Sequence, residues 1–137
     1  MKFRTMVKDA EAEGPRYAEK NDYRTTPFGK FMRRARIDEI PQFLNLLKGE
    51  MSLIGPRPER PVFVQELSHS IPFYNIRHVI KPGLTGWAQV KGDYSGEESG
   101  ALEKLQYYLF YIKHRSLFLD INIILKTLST VLSMRGQ

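Results

Sequence analysis

The 137-residue chain has no cysteine, which excludes a disulfide framework, a thiolate nucleophile and any cysteine-ligated zinc or iron–sulfur centre. That composition also suits a reducing compartment. There is no uninterrupted run of 18 apolar residues, so nothing in the sequence reads as a bilayer-spanning helix. The opening stretch, MKFRTM, carries no leader pattern. His69, His78 and His114 lack metal-ligand spacing and read as structural or solvated. No Gly-x-x-x-x-Gly-Lys phosphate loop and no Gly-x-Ser-x-Gly elbow occurs, nor any internal repeat or low-complexity segment.

What is present is positive charge. Lysine and arginine number 21 against 15 acids, giving a net charge of +6 and favouring anionic partners: nucleic acid, acidic headgroups or phosphorylated small molecules. Nucleic acid is the least expected of these, because no aromatic RNA-recognition motif, zinc finger or recognition helix is found. A hydrophobic fraction of 42% with 26% charged residues describes one globular domain with a core large enough to fold unaided.

Periodicity and breakers divide the chain into elements. Residues 3–7 (FRTMV) alternate as a short strand, and 8–21 read as a short exposed helix followed by loop. Thr26-Pro27 is a helix start, with Phe28, Phe31 and Met32 at helical spacing and Arg33, Arg34 and Arg36 closing the segment. A second helix is expected from about Asp38, with Ile40, Phe43, Leu44 and Leu47 on one face and Gly49 as its C-terminal cap. MSLIG (51–55) is a short strand or extended connection, and Pro61 opens a helix through residue 70. Residues 81–92 read as a turn-and-strand loop and 93–100 as an exposed acidic loop. Two amphipathic helices, 101–115 and 116–134, complete an α+β domain that is helix-rich with short strands. The last helix is either core or laid along a membrane interface.

The stretch ARIDEIPQFLNLLKGEMSLIGPRPE (35–59) carries the chemistry-bearing residues. On local pattern Asp38 and Glu39 read first as N-terminal helix acids, favoured by the helix dipole, and second as functional carboxylates. An ionised aspartate is a competent nucleophile toward phosphorus, and neighbouring carboxylates are ligands for magnesium. Arg33, Arg34, Arg36 and Arg57 are cations matched to phosphate oxygens, and prolines 56 and 58 restrict the backbone that carries Arg57. His78, which follows Arg77 and precedes Lys81-Pro82-Gly83, is a candidate for the border of an anionic site.

Four motifs, KFRTM, RIDEIPQFLNLLKGEMSLIGPRPERP, IRHVIKPGLTGWAQV and EKLQYYLFYIKHRSLFLDI, occur in this order over nearly the whole chain. Together they resemble the bacterial sugar transferase domain of polyprenyl-phosphate phosphoglycosyl transferases, most closely the exopolysaccharide branch. The resemblance implies one catalytic domain over 1–137. It would transfer a sugar 1-phosphate from a UDP-sugar to a polyprenyl phosphate at the cytoplasmic face of the inner membrane, initiating glycan synthesis. It further implies Asp38 as a nucleophile carrying a covalent phosphosugar, and Glu39 as metal-site partner or proton acceptor, with Mg2+ at Asp38 and Glu39. Arg33 and Arg57 would contact phosphate, Pro56 and Pro58 would shape the nucleotide side, and Arg77 and Lys81 would complete the substrate-binding set. Amphipathic helices would lie on the membrane surface, and a homodimer is left open. A non-catalytic basic module that binds membranes or a partner is the alternative.

The chain departs from that pattern in three places. The family's membrane hairpin and glycine-rich strand do not precede KFRTM, so an N-terminally truncated domain is expected. Tyr108 stands where the family tends to have aspartate, a loss expected to weaken helix docking or a polar contact near the site. The loop KGDYSGEESG is atypical and a candidate for setting sugar choice.

Overall fold

The computed structural model describes residues 1–12, 14–18, 22–92 and 98–132. Within them, six α-helices surround a sheet of two short parallel strands, β1 (Ser52–Ile54) and β2 (Gly83–Thr85), paired Ser52 to Gly83 and Ile54 to Thr85. The expected α+β, helix-rich class is the one found. Parallel pairing needs a crossover. Here α3 (Pro61–Ser70) and a 3-10 turn (Tyr74–His78) supply it. The approach is so close that a Cβ on Gly83 would lie 2.0 Å from the Gly55 nitrogen, so only glycine fits there.

The capping chemistry sets several helices as expected. Thr26 Oγ1 accepts from the Gly29 amide at 2.9 Å and Pro27 opens α1 (Pro27–Arg34), with Arg33 and Arg34 in the last turn. α3 begins at Pro61. α5 (Glu98–Lys113) starts slightly ahead of its expected position, and α6 (Leu117–Leu132) lies within its expected span. Two buried clusters hold these elements together. Leu67, Ile71, Tyr74 and Leu105 join α3 and the 3-10 turn to α5. Ile54, Tyr111 and Ile123 join β1, α5 and α6, and Ile123 is fully buried.

Four expectations need correction. The strand over 3–7 contracts to one antiparallel bridge, Met6 to Thr25. The short helix expected at the start of 8–21 is a series of turns over 8–12, where charged residues leave no apolar face to bury. Residues 81–92 contain the expected strand but also α4 (Trp87–Lys91), which packs Trp87 and Val90 on the second cluster. The second helix starts late: α2 is Gln42–Leu47, preceded by a 3-10 turn, Ile37–Glu39. Pro41 has no amide to donate to Ile37, whose carbonyl instead takes the Ile40 amide at 3.1 Å. Gly49, at φ +73, follows that helix in the left-handed cap conformation expected of it. The expected loop over 93–100 lies largely outside the described residues.

The apolar faces of the helices are only partly covered. Ile40, Phe43, Leu44 and Leu47 are exposed, Leu47 at 83%, and so are Phe28 and Phe31 on α1. α6 divides its stripe: Ile123 faces the core, while Phe118, Ile121, Leu125 and Leu128 face outward. No described helix is long and apolar enough to cross a membrane.

Candidate active site

The two acids sit on the 3-10 turn rather than on an α-helix tip. The chain reverses into it through Arg36, a non-glycine residue at φ 54 and ψ 21. Backbone held in this left-handed region costs of order 1–3 kcal/mol and persists where surrounding contacts fix it. Those contacts come from the N-terminal segment. The Phe3 amide donates to the Asp38 carbonyl at 3.0 Å, and the Thr5 carbonyl accepts from the Thr26 amide at 3.0 Å. Arg33 Nε donates to Thr5 Oγ1 at 2.9 Å. Residues 2–5 are thereby laid across the turn that carries Asp38.

An open cavity of about 290 Å3 results, lined by Lys2, Phe3, Thr5, Ala18, Arg33, Arg36, Asp38, Glu39 and Arg57. Two carboxylates and four cations thus share one wall. Glu39 is their hub: Lys2 Nζ lies 2.8 Å from Oε1, Arg57 Nη2 3.2 Å from the same oxygen, and Arg36 Nη1 3.4 Å from Oε2. Burial alone would raise the Glu39 pKa, but Arg57, Lys2 and Arg36 outweigh it and hold the carboxyl below its ordinary value. Asp38 behaves oppositely. It is 8% exposed, and burial, together with the Glu39 charge, raises its pKa despite the opposing pull of Lys2 and Arg33.

The remaining sequence-derived candidates lie elsewhere. Pro56 is buried and its carbonyl accepts from the Gly83 amide at 2.9 Å, fastening the Arg57 loop to β2, while Pro58 is exposed. Lys81 is exposed on the entry to β2. Arg77, expected on an anionic site, is instead 3% exposed and off the cavity wall, because its guanidinium is drawn onto the rings of Tyr74 and Tyr108. His69 Nδ1 contacts the Gln65 carbonyl within α3, and His114 Nδ1, just beyond α5, contacts the Phe110 carbonyl. Sequence reading passed over Lys2, Phe3 and Thr5, since only the long-range bridge at Met6 brings them to Asp38. Arg36 was legible only as a nearby cation. Tyr108 is buried, with its ring 4.8 Å from the Arg77 guanidinium.

Among the described residues, no group of three or more His, Cys, Asp or Glu gathers where it could hold a metal alone. Magnesium ordinarily binds one or two carboxylates and completes its shell with water and substrate phosphate. Asp38 and Glu39 fit that mode, as oxygen donors beside cations that would receive a diphosphate. Asp38 is the better placed of the two, since Glu39 already faces three cations.

A family profile described as bacterial sugar transferase matches residues 1–134. Over 135 residues, 98% of the chain, it is 47% identical to a UDP-N-acetylgalactosamine-undecaprenyl-phosphate N-acetylgalactosaminephosphotransferase of Aeromonas hydrophila, covering 32% of that protein. Over 138 residues, also 98% of the chain, it is 46% identical to a UDP-glucose:undecaprenyl-phosphate glucose-1-phosphate transferase of Xanthomonas campestris pv. campestris, covering 28% of it. A protein of the same description from Escherichia coli (strain K12) is 41% identical over 130 residues, covering 92% of the chain and 28% of that protein. The chain therefore spans about a third or less of the length of these relatives.

Proposed function

The chain belongs to the bacterial sugar transferase family, and from that premise we propose that it is the catalytic part of a phosphoglycosyl transferase. It moves a sugar 1-phosphate from a UDP-sugar to a polyprenyl phosphate, beginning the assembly of a membrane-linked glycan. The observation that carries this reading is the cavity on which Asp38 and Arg57 both open, with Lys2, Arg33 and Arg36 beside them.

Asp38 is the nucleophile. A carboxylate oxygen forms a bond to the sugar-side phosphorus, and the bond from that phosphorus to the bridging oxygen breaks. The electron pair leaves with UMP. In the second half-reaction an oxygen of the lipid phosphate attacks the same phosphorus and the Asp38 carboxylate departs, restoring the free acid group. Splitting the transfer lets a water-soluble donor leave before a lipid acceptor arrives. Partial desolvation makes the ionised Asp38 more basic, and hence a stronger nucleophile, than an exposed aspartate.

Two anions approaching each other repel, and the cations on the wall answer that repulsion. Arg33 and Arg57 receive phosphate oxygens, with Lys2 and Arg36 adding charge already fixed in place. Glu39 holds Arg57, Lys2 and Arg36 around the pocket before substrate arrives, so little reorganisation accompanies the reaction. Asp38 and Glu39 would hold magnesium, and the ion, when bound, would supply further neutralisation of the charge that develops on the leaving group. The outward apolar faces of α1, α2 and α6, on a basic protein, seat the domain against anionic headgroups at the cytoplasmic surface.

The test is UMP release from a panel of UDP-sugars with magnesium. Release that requires Asp38 supports the transferase. The exposed apolar faces also favour a second reading, a non-catalytic membrane-binding module, which predicts salt-sensitive vesicle binding and no UMP.

A further inference from the structure

A buried guanidinium usually faces a carboxylate, because an unpaired charge away from water is costly. Arg77 has none within ion-pair distance among the described residues, and its Nε is buried without a partner. Aromatic rings take the place of a counter-ion. The guanidinium carbon lies 5.0 Å from the Tyr74 ring centroid and 4.8 Å from that of Tyr108. Nη1 donates to the Tyr74 hydroxyl, and Nη2 donates to the backbone carbonyl of Arg57. The Arg57 backbone amide also faces the Tyr108 phenol.

The target of that last donor is informative. Arg57 sits between Pro56 and Pro58, whose rings fix φ on either side and push Arg57 itself toward extended backbone. Arg77 holds the Arg57 carbonyl and so pins the plane of the Arg57–Pro58 peptide within that extended backbone. From this restrained backbone the Arg57 side chain reaches Glu39 on the cavity at 3.2 Å.

We propose that Arg77 is a positioning residue: seated on Tyr74 and Tyr108, it fixes the Arg57 backbone so that the Arg57 guanidinium is aimed into the cavity. The geometric part stands by itself, while its effect on turnover rests on the transferase reading above. α5, which carries Tyr108, thereby supports the cavity from behind without touching it.

Arginine side-chain NMR on the whole chain tests the geometry, and UMP release with magnesium and UDP-sugars tests its consequence. The Arg57 Nε–Hε signal is assigned by its disappearance in Arg57→Lys. Arg77→Met moves that signal to the position of solvated arginines and lowers kcat about 10- to 100-fold, the scale of a displaced positioning contact. Arg77→Lys, which keeps a donor, recovers part of both. Tyr111→Phe, the loss of another buried hydroxyl on the same helix, leaves both unchanged. If Arg77→Met fails to melt cooperatively, Tyr108→Leu supplies the same readouts. An Arg57 signal that stays in place, or an unchanged kcat in a protein that turns over, overturns the proposal. If the parent releases no UMP from any donor, the transferase reading fails and the Arg57 signal alone decides the positioning role.

Discussion

Asp38 and Glu39 are neighbours on one turn and open on one cavity, yet their surroundings push their acidities apart. Burial raises the pKa of Asp38, whereas Arg57, Lys2 and Arg36 overcome burial and lower that of Glu39. Two adjacent carboxyl groups thereby acquire separate tasks: a more basic, nucleophilic one and a more acidic one that organises cations.

For Asp38 the consequence is a trade between activity and stability. Asp38→Asn is expected to lower UMP release by about 1,000-fold or more, since no carboxylate remains to attack. In the parent, UMP release falls as acid protonates Asp38, at a pH above the ordinary value of 3.8 for aspartate. Because the folded pKa is the higher one, the native state holds this proton more tightly than the unfolded chain. Stability therefore declines as pH rises through the interval between the two values. Thermal melts at pH 7 should find Asp38→Asn at least as stable as the parent, with the difference closing below pH 3.8.

Glu39 has the opposite sign. Its folded pKa lies below 4.5, so its contribution is complete above that value and disappears as pH falls through the depressed one. Glu39→Gln leaves three cations facing one another and is expected to cost about 1–2 kcal/mol at pH 7. Urea unfolding at pH 7 measures the deficit, and a repeat in strong acid should find it gone.

Much of the architecture was legible because its causes are local. Thr26-Pro27, Pro61 and Gly49 act on their own backbone, and the periodicity of 101–115 and 116–134 gave α5 and α6. Periodicity states that a face is apolar but not what covers it, so the shared face of Ile40, Phe43, Leu44 and Leu47 was legible and its exposure was not. α4 was hidden by the glycines and proline around it. At the site, Asp38, Glu39, Arg33 and Arg57 were legible as a charge pattern. Lys2 and Thr5 were not, because 30 or more residues separate them from Asp38 and only tertiary pairing unites them. Arg77 was legible as a cation, but the rings that turn it inward come from a distant helix.

The N-terminal segment is fitted to α1 with no room to spare. A Cβ at Gly29 would lie 2.0 Å from the Thr5 carbonyl oxygen, and backbone on both sides prevents an easy shift. Gly29→Ala is expected to cost about 1–3 kcal/mol. Since Thr5 also positions Arg33, UMP release should fall even in the fraction that remains folded. Circular dichroism melts paired with the UMP assay separate the two effects.

The outward face of α6 supplies a membrane test. Phe118 is 80% exposed and Leu125 62%. Replacing either by aspartate should weaken binding to anionic phospholipid vesicles about tenfold, on the scale of one large apolar side chain withdrawn from the interface. The UMP half-reaction, which needs no lipid, should be unaffected. Sedimentation with vesicles at low and high salt measures the binding.

The most direct measurement is intact-protein mass spectrometry after exposure to UDP-sugars with magnesium, without lipid acceptor. The account predicts a mass gain equal to one sugar phosphate, mapped to Asp38, and discharged when polyprenyl phosphate is added. UMP release at the parental rate from Asp38→Asn, with no adduct on the parent, would contradict it.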